Sequence, residues 1–282
     1  MTFRTLWRKA VNALMLSVTG LCALLTVSAL FIILGFLVWN GAKSLHFSFF
    51  TNLPAPVGET GGGIANAIAG TGKLLLLSAL VGVPVGLLGG IYLAEYAGGV
   101  SSFLVRYAAD LLNGVPSIVI GIFAYTVVVL PMHHFSTIAG GFALGIMMIP
   151  IILRSSEEFL KAVPRSLREG AMAVGASKWK TIVTVVVPAA AGGIMTAVLL
   201  ALARVAGETA PLLFTAFGNQ FWSPGWNQPI ASLPVVIYTY AISPYDDWHR
   251  QAWAAGLVLL GLVLATNLLT RMLLTRRTLP GR

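Results

Sequence analysis

The chain has 282 residues, of which 57% are hydrophobic and only 10% charged. Soluble domains carry about 25% charged residues, so this inventory cannot cover a water-exposed surface, and a soluble enzyme is excluded. The formal net charge of +9 admits two readings, contact with nucleic-acid phosphates or the Lys and Arg excess of cytoplasmic loops, and topology decides between them.

Long uncharged blocks separate the charges: 33 residues between Lys9 and Lys43, 43 between Asp110 and Arg154, and 37 between Glu208 and Asp246. About 20 apolar residues cross a bilayer as one helix. The chain therefore reads as an all-α polytopic membrane protein of about six transmembrane helices. The first span, about residues 12–39, follows Arg4, Arg8 and Lys9. Its apolar stretch is about twice the ~7–15 residues of a secretory signal, so residues 1–40 read as a cytoplasmic N-terminus with a retained anchor. An outer loop, 41–71, with Gly61-Gly62-Gly63 near its end, leads to a core of five spans over 72–273. The second span is placed at about 72–96, where Gly82, Gly86 and Gly90 suit close helix packing. The 43-residue block holds two spans, near 104–130 and 136–153, because Pro131-Met132-His133-His134 has the polarity of a turn. A fifth is expected at about 192–216 and a sixth at about 251–272, before a basic tail, 274–282. The lone cysteine, Cys22, offers no disulfide framework.

Six spans put both termini on one side, which receives 14 of the Lys and Arg residues, while Lys43, Lys73 and Arg250 fall on the other. The positive-inside rule makes the first side cytoplasmic, so the charge is topological and nucleic acid drops out as a partner. His46, His133, His134 and His249 are scattered over outer loops, and no catalytic residue, metal site or bound cofactor is assigned.

The longest cytoplasmic segment, about 154–187, is organised as helix, turn, helix. Ser155 precedes Glu158 by three and Ser166 precedes Glu169 by three, each a capping-box pattern. Gly175 stands where a helix would end in a left-handed residue, and Ser177 caps the run through Lys178, Trp179 and Lys180 towards Pro188. Leu167, Ala171 and Val174 form an apolar stripe at i, i+4 and i+7. Spacing alone leaves open whether that stripe packs on the protein's own surface or in a partner's groove. Glu169-Gly170-Ala171, Gly175 and Val185-Val186-Val187-Pro188 resemble the EAA loop of ABC importer permeases. The resemblance implies a coupling helix that docks on an ATPase subunit, with Glu169, Ala171 and Gly175 at its core. Gly170 stands where that pattern has Ala, and Val185 and Val187 replace Ile and Leu.

The fifth span contains Arg204-Val-Ala-Gly-Glu208-Thr209, with Arg204 at the midpoint of 192–216. A charge at the bilayer centre costs at least about 2.5–3.5 kcal/mol and normally faces a bundle interior or a wet pathway. Glu208, four residues on, is expected to pair with Arg204 on one helix face. Either the pair locks helices together, or Arg204 meets an anion in transit through its planar fork of donors, with Thr209 adding a hydroxyl.

Arg204 to Pro211 is similar to the corresponding span of PstA-type phosphate permeases. The same holds for Asn219-Gln220-Phe221-Trp222, Gln228-Pro229-Ile230-Ala231-Ser232-Leu233-Pro234, Gly114-Val115-Pro116-Ser117 and Ile91-Tyr92-Leu93-Ala94-Glu95-Tyr96. The resemblance implies a type I importer permease of the bacterial cytoplasmic (inner) membrane, working as a heterodimer with a second phosphate permease subunit. It also implies two ATPase subunits that use the ATP and an extracytoplasmic phosphate-binding protein. Trp222, Trp226, Tyr238, Tyr240, Tyr245, Trp248 and Trp253 supply either a docking surface for that protein or an interfacial aromatic belt. Gly70-Thr71-Gly72-Lys73 is not a phosphate-binding loop, since Ala67 and Leu74 stand where Gly and Ser or Thr are needed. An ATPase site within the chain is not expected. A permease for another oxyanion and a secondary anion transporter are the competing readings. An intramembrane enzyme is disfavoured because Glu95, Asp110 and Glu208 lie on different helices without an intramembrane histidine.

Overall fold

The computed structural model describes residues 3–56, 59, 61–96 and 98–277; the end of the basic tail, 278–282, lies outside them. The chain is helical: α1 Phe3–Gly41, α2 Ala65–Tyr96, α3 Gly99–Gly114, α4 Ser117–Met132, α5 Thr137–Ala162, α6 Arg165–Ala173, α7 Lys178–Ala206, α8 Ala210–Thr215, α9 Leu233–Ala241 and α10 Asp246–Arg277. Among the described residues five helices are long and apolar enough to cross a membrane, and α3 with α4 makes a sixth span if the bent pair is one.

The centre of the molecule is the parallel pair α2 and α5. A Cβ at Gly82, Gly86 or Gly90 would lie 2.7, 2.8 or 2.7 Å from the Cβ atoms of Met148, Ile152 and Ser156. Gly145 of α5 answers Val81 at 2.9 Å, and Gly141 packs on Leu77. Each helix thus offers glycine where the other offers a side chain, and the backbones approach as only small residues permit. Leu74, Leu144, Met148 and Ile152 of this pair join Ala201 and Val205 of α7 and Leu212 of α8 in the main buried cluster. By contrast α1 stands on the flank beside α10, with Phe36 edge-on to Trp253 at 5.2 Å and its most apolar stretch wholly exposed.

Several boundaries differ from those expected. Helix α2 begins at Ala65, two turns before the expected 72, directly after the Gly61-Gly62-Gly63 approach, since Gly70-Thr71-Gly72-Lys73 is itself helical. The third span is broken: α3 and α4 meet at 103°. Val115 is extended at φ −70°, ψ 129°, because the residue before a proline is disfavoured in the helical region. The expected helix start at Ser155 is absent, and α5 runs through to Ala162. Ion pairs from Glu157 to Arg154 at 3.3 Å and Lys161 at 2.6 Å stitch that last stretch at i−3 and i+4 spacing. Ser166 is not a cap either; Pro164 precedes α6 and its first helical residue is Arg165. The fifth span lies at Lys178–Ala206 instead of 192–216, since Lys178 and Lys180 are inside the helix and Gly207 ends it.

At the end remote from the basic loop, residues 216–232 are laced to the spans. Ser136 caps α5, its Oγ accepting from the Ala139 N–H at 3.1 Å, while Thr137 donates from N–H and Oγ1 to the Gln228 carbonyl at 2.9 and 3.0 Å. Lys73 donates to the carbonyls of Ser223 and Pro224 at 2.8 and 3.2 Å and lies over the Trp226 ring. Tyr240 is buried and stacks on Trp248 at 4.5 Å, whereas Phe221, Trp222 and Tyr238 are exposed.

The interlock generates a paired prediction. Gly86→Val places branched carbons against the Ile152 side chain and is expected to lower stability by about 1–3 kcal/mol through overpacking. Gly72→Ala, with nothing within 4 Å of the new Cβ, is expected to be neutral or stabilising by up to about 1 kcal/mol. Thermal unfolding of both purified proteins in detergent checks this, and equal melting temperatures would refute it.

Candidate functional site

Arg204 lies in the last turn of α7, on its exposed face. The buried stripe of that helix is Ala190, Ile194, Ala197, Ala201 and Val205. Thr184, Pro188, Gly192, Thr196, Leu200 and Arg204, every fourth residue, are exposed, a row that winds about 200° round the helix at ~3.6 residues per turn. The hydroxyls of Thr184 and Thr196 are spent on the carbonyls of Lys180 and Gly192, at 2.7 and 2.8 Å, and Arg204 is the charged residue of the row.

Packing fixes the depth of Arg204. Helices α7 and α5 run antiparallel, with Gly193 seated on the Phe159 ring. Arg204 is about 16 Å further along at the ~1.5 Å rise per residue, which brings it level with Met148, near the middle of α5. Val205 and Met148 accordingly share the main buried cluster. Arg204 thus ends its helix instead of bisecting it, at the level of the middle of α5.

The expected i, i+4 pair is not formed. Helix α7 stops at Ala206, Gly207 is its C-terminal residue at φ −95°, ψ 0°, and Glu208 donates its N–H to the Val205 carbonyl at 3.2 Å in a tightened final turn. Without a continuous helix the two side chains do not share a face, and among the described residues neither enters an ion pair. Glu208 and Thr209 are both half-buried. The break is held rigidly, because α8 restarts at once with Pro211 in its first turn. A Cβ at Gly121 of α4 would lie 2.6 Å from the Pro211 Cα. Leu212 and Ala216 close on Gly140 of α5.

The second candidate region is the basic loop. Helix α6 ends in a Schellman motif: the Gly175 N–H donates to the Met172 carbonyl at 2.9 Å and the Ala176 N–H to Ala171 at 3.2 Å. Gly175 sits at φ +90°, the left-handed conformation that a side chain would strain. Gly170 has open space around its absent Cβ, so nothing in the packing demands glycine there. Glu169 is exposed and Ala171 half-buried. The apolar stripe does not pack on the protein's own surface, since Leu167 is 46% and Val174 86% exposed.

Two charged clusters of this end escaped the sequence reading as contacts. Glu157, only 5% exposed, accepts from Arg106 of α3 at 2.8 Å as well as from Arg154 and Lys161. Arg154 also pairs with Asp110 at 3.0 Å, binding α3 to α5. Arg168 reaches Glu95 at 2.8 Å. The local partners of Glu157 were readable as helical spacing; the pairs across 51, 44 and 73 positions left no signal in one sequence.

Residues 86–278 match the model of the binding-protein-dependent transport system inner membrane component family. The phosphate transport system permease protein PstA of Yersinia pestis is 45% identical over 256 residues, covering 90% of this chain and 86% of that protein. PstA of Haemophilus influenzae is 45% identical, covering 91% of each, and a probable PstA of Methanocaldococcus jannaschii is 34% identical over 88% of each. Among solved structures, the inward-facing MetNI methionine ABC transporter shares the fold at TM-score 0.60 and 19% identity, over 77% of this chain and 94% of that one. A bacterial ABC transporter for import of the polysaccharide alginate does so at TM-score 0.58 and 17% identity, over 95% and 99%. The chain is a multi-pass membrane protein that belongs to the binding-protein-dependent inner membrane permeases, and within them to the PstA family.

Proposed function

We propose that this chain is a permease subunit of an ATP-driven importer that moves inorganic phosphate across the cytoplasmic membrane, with Arg204 contacting the anion. One observation carries the reading: an arginine with no ion-pair partner among the described residues stands exposed at the middle of the bundle. Such a residue does not face lipid, where it would cost at least about 2.5–3.5 kcal/mol. A second permease subunit covers this face, and the anion passes between the two. Guanidinium offers paired donors that match a tetrahedral oxyanion. Thr209 adds a hydroxyl. The fork alone suits other oxyanions equally; the PstA relatives favour phosphate.

The basic loop lies on the cytoplasmic side with both termini, under the positive-inside rule. Two ATPase subunits, which use the ATP, dock on α6 through Glu169, Ala171 and Gly175. The exposed Leu167 and Val174 support this over a secondary transporter, which has no use for an apolar cytoplasmic face. A phosphate-binding protein delivers its cargo at the far end, where Phe221, Trp222 and Tyr238 are exposed.

Reconstituted with its partners, Arg204→Gln is expected to reduce phosphate uptake about 10- to 100-fold, as loss of charge-assisted hydrogen bonds worth about 1.5–3 kcal/mol implies. Arg204→Lys should fall between that variant and the wild type. Uptake by Arg204→Gln at the wild-type rate would remove Arg204 from the pathway. For the docking surface, Glu169→Lys is expected to release the ATPase subunits in a pull-down from detergent extracts; full retention would place the interface elsewhere.

A further inference from the structure

Helix α6 buries none of its residues, yet it is firmly attached, chiefly by one side chain. Arg168 donates from Nε and Nη2 to Glu95 Oε1 at 3.0 and 2.8 Å, from Nη2 to the Leu160 carbonyl at 2.7 Å, and from Nη1 to the Val163 carbonyl. The Arg168 and Glu95 side chains are only 17% and 8% exposed. Glu95 belongs to the π-helical turn Tyr92–Tyr96 that ends α2. Leu160 and Val163 are the final turn and the cap of α5, where helix carbonyls lack internal partners and a cation suits the helix dipole. One guanidinium therefore joins α6 to the ends of both helices of the glycine-interlocked pair. A second, weaker tie comes from α7, whose Lys178 Nζ lies 4.5 Å from the Tyr96 ring centroid.

We propose that Arg168 is a positioning residue that transmits the movement of the docked ATPase subunits to the α2–α5 pair. The proposal rests on the reading of α6 as the ATPase-docking helix. With the clamp intact, a displacement of α6 must carry α2 and α5 with it or break a buried ion pair, and breaking one such pair is costly. Without it, α6 rests on the Ile182–Val186 stretch of α7 and is joined to α5 through Val163-Pro164, so it can move with α7 while α2 and α5 stay still. ATP hydrolysis then proceeds without moving the pathway that Arg204 lines.

The test uses the assembled transporter in proteoliposomes, reading ATPase retention, ATP hydrolysis and phosphate moved per ATP. Arg168→Gln and Glu95→Gln are expected to keep the ATPase subunits and to hydrolyse ATP within about twofold of the wild type. Phosphate moved per ATP is expected to fall at least tenfold. Arg168→Lys, which can still reach Glu95 with one donor, should recover part of that ratio, and Lys178→Ala should leave it nearly unchanged. Cys22 is the only native cysteine, so in a Cys22→Ser background the double variant R168C/E95C can be bridged by a short bifunctional thiol reagent, and bridging should restore coupling. A wild-type ratio in Arg168→Gln overturns the proposal. Loss of the ATPase subunits without rescue on bridging also overturns it, by making Arg168 a docking or folding element. Absence of phosphate transport in the wild-type assembly, or ATPase retention by Glu169→Lys, would instead fail the underlying reading and is seen separately.

Discussion

The distance between α2 and α5 is the constraint on which the remaining geometry rests. In a bilayer, apolar surface gains nothing by leaving lipid for another helix, so association relies on contact density and on backbones that approach closely. Gly82, Gly86 and Gly90 on one helix and Gly141 and Gly145 on the other supply that approach along most of the crossing. Several other elements refer to this pair. Helix α7 lies against α5 and hence sets the depth of Arg204; α3 is bound to α5 through Glu157; α8 is wedged between α4 and α5. The far loop hangs from Lys73 and Thr137 near the N-terminal ends of the same two helices. A rigid centre of this kind turns small displacements at one end into displacements at the other.

The charges divide according to how they are neutralised. At the basic end, Glu157 is almost fully removed from solvent yet surrounded by Arg106, Arg154 and Lys161, which offsets the desolvation that makes buried ions costly. Arg168 and Glu95 neutralise one another in the same way. These groups fasten helices together. Among the described residues Arg204 has no ion-pair partner, and a charge within a membrane normally faces a bundle interior or a wet pathway. Pairing, not sequence position, separates it from the charges that fasten helices.

Much of this was legible in the sequence, for identifiable reasons. The long apolar helices followed from uncharged blocks, the close helix pair from glycines four apart, the left-handed Gly175 from its place after the loop helix. Span boundaries moved because Lys73 lies inside α2 and because the run through Lys178 and Lys180 is continuous with the span beyond Pro188. The capping boxes at Ser155 and Ser166 failed because ion pairing carried α5 through the first and Pro164 dictated the start beside the second. Arg204, expected at the midpoint of 192–216, instead stands in the last turn of a helix that runs from Lys178 to Ala206. The Glu208 pairing failed because a single glycine ended the helix between the two residues. The Arg168–Glu95 contact depends on tertiary structure and has no local periodicity to betray it.

The break at Gly207 has one more consequence. The Arg204 and Val205 carbonyls still accept from the Gly207 and Glu208 N–H groups, at 3.4 and 3.2 Å, but other terminal carbonyls of α7 and the first N–H groups of α8 have no partner inside their helices, and in hydrocarbon each such group would cost several kcal/mol. Gly207, like Arg204, is exposed. On the proposed pathway these peptide groups would call for water, and an ion reaching Arg204 would exchange its hydration water for guanidinium and peptide dipoles a few contacts at a time, so that a bare anion in a dry medium would never have to exist.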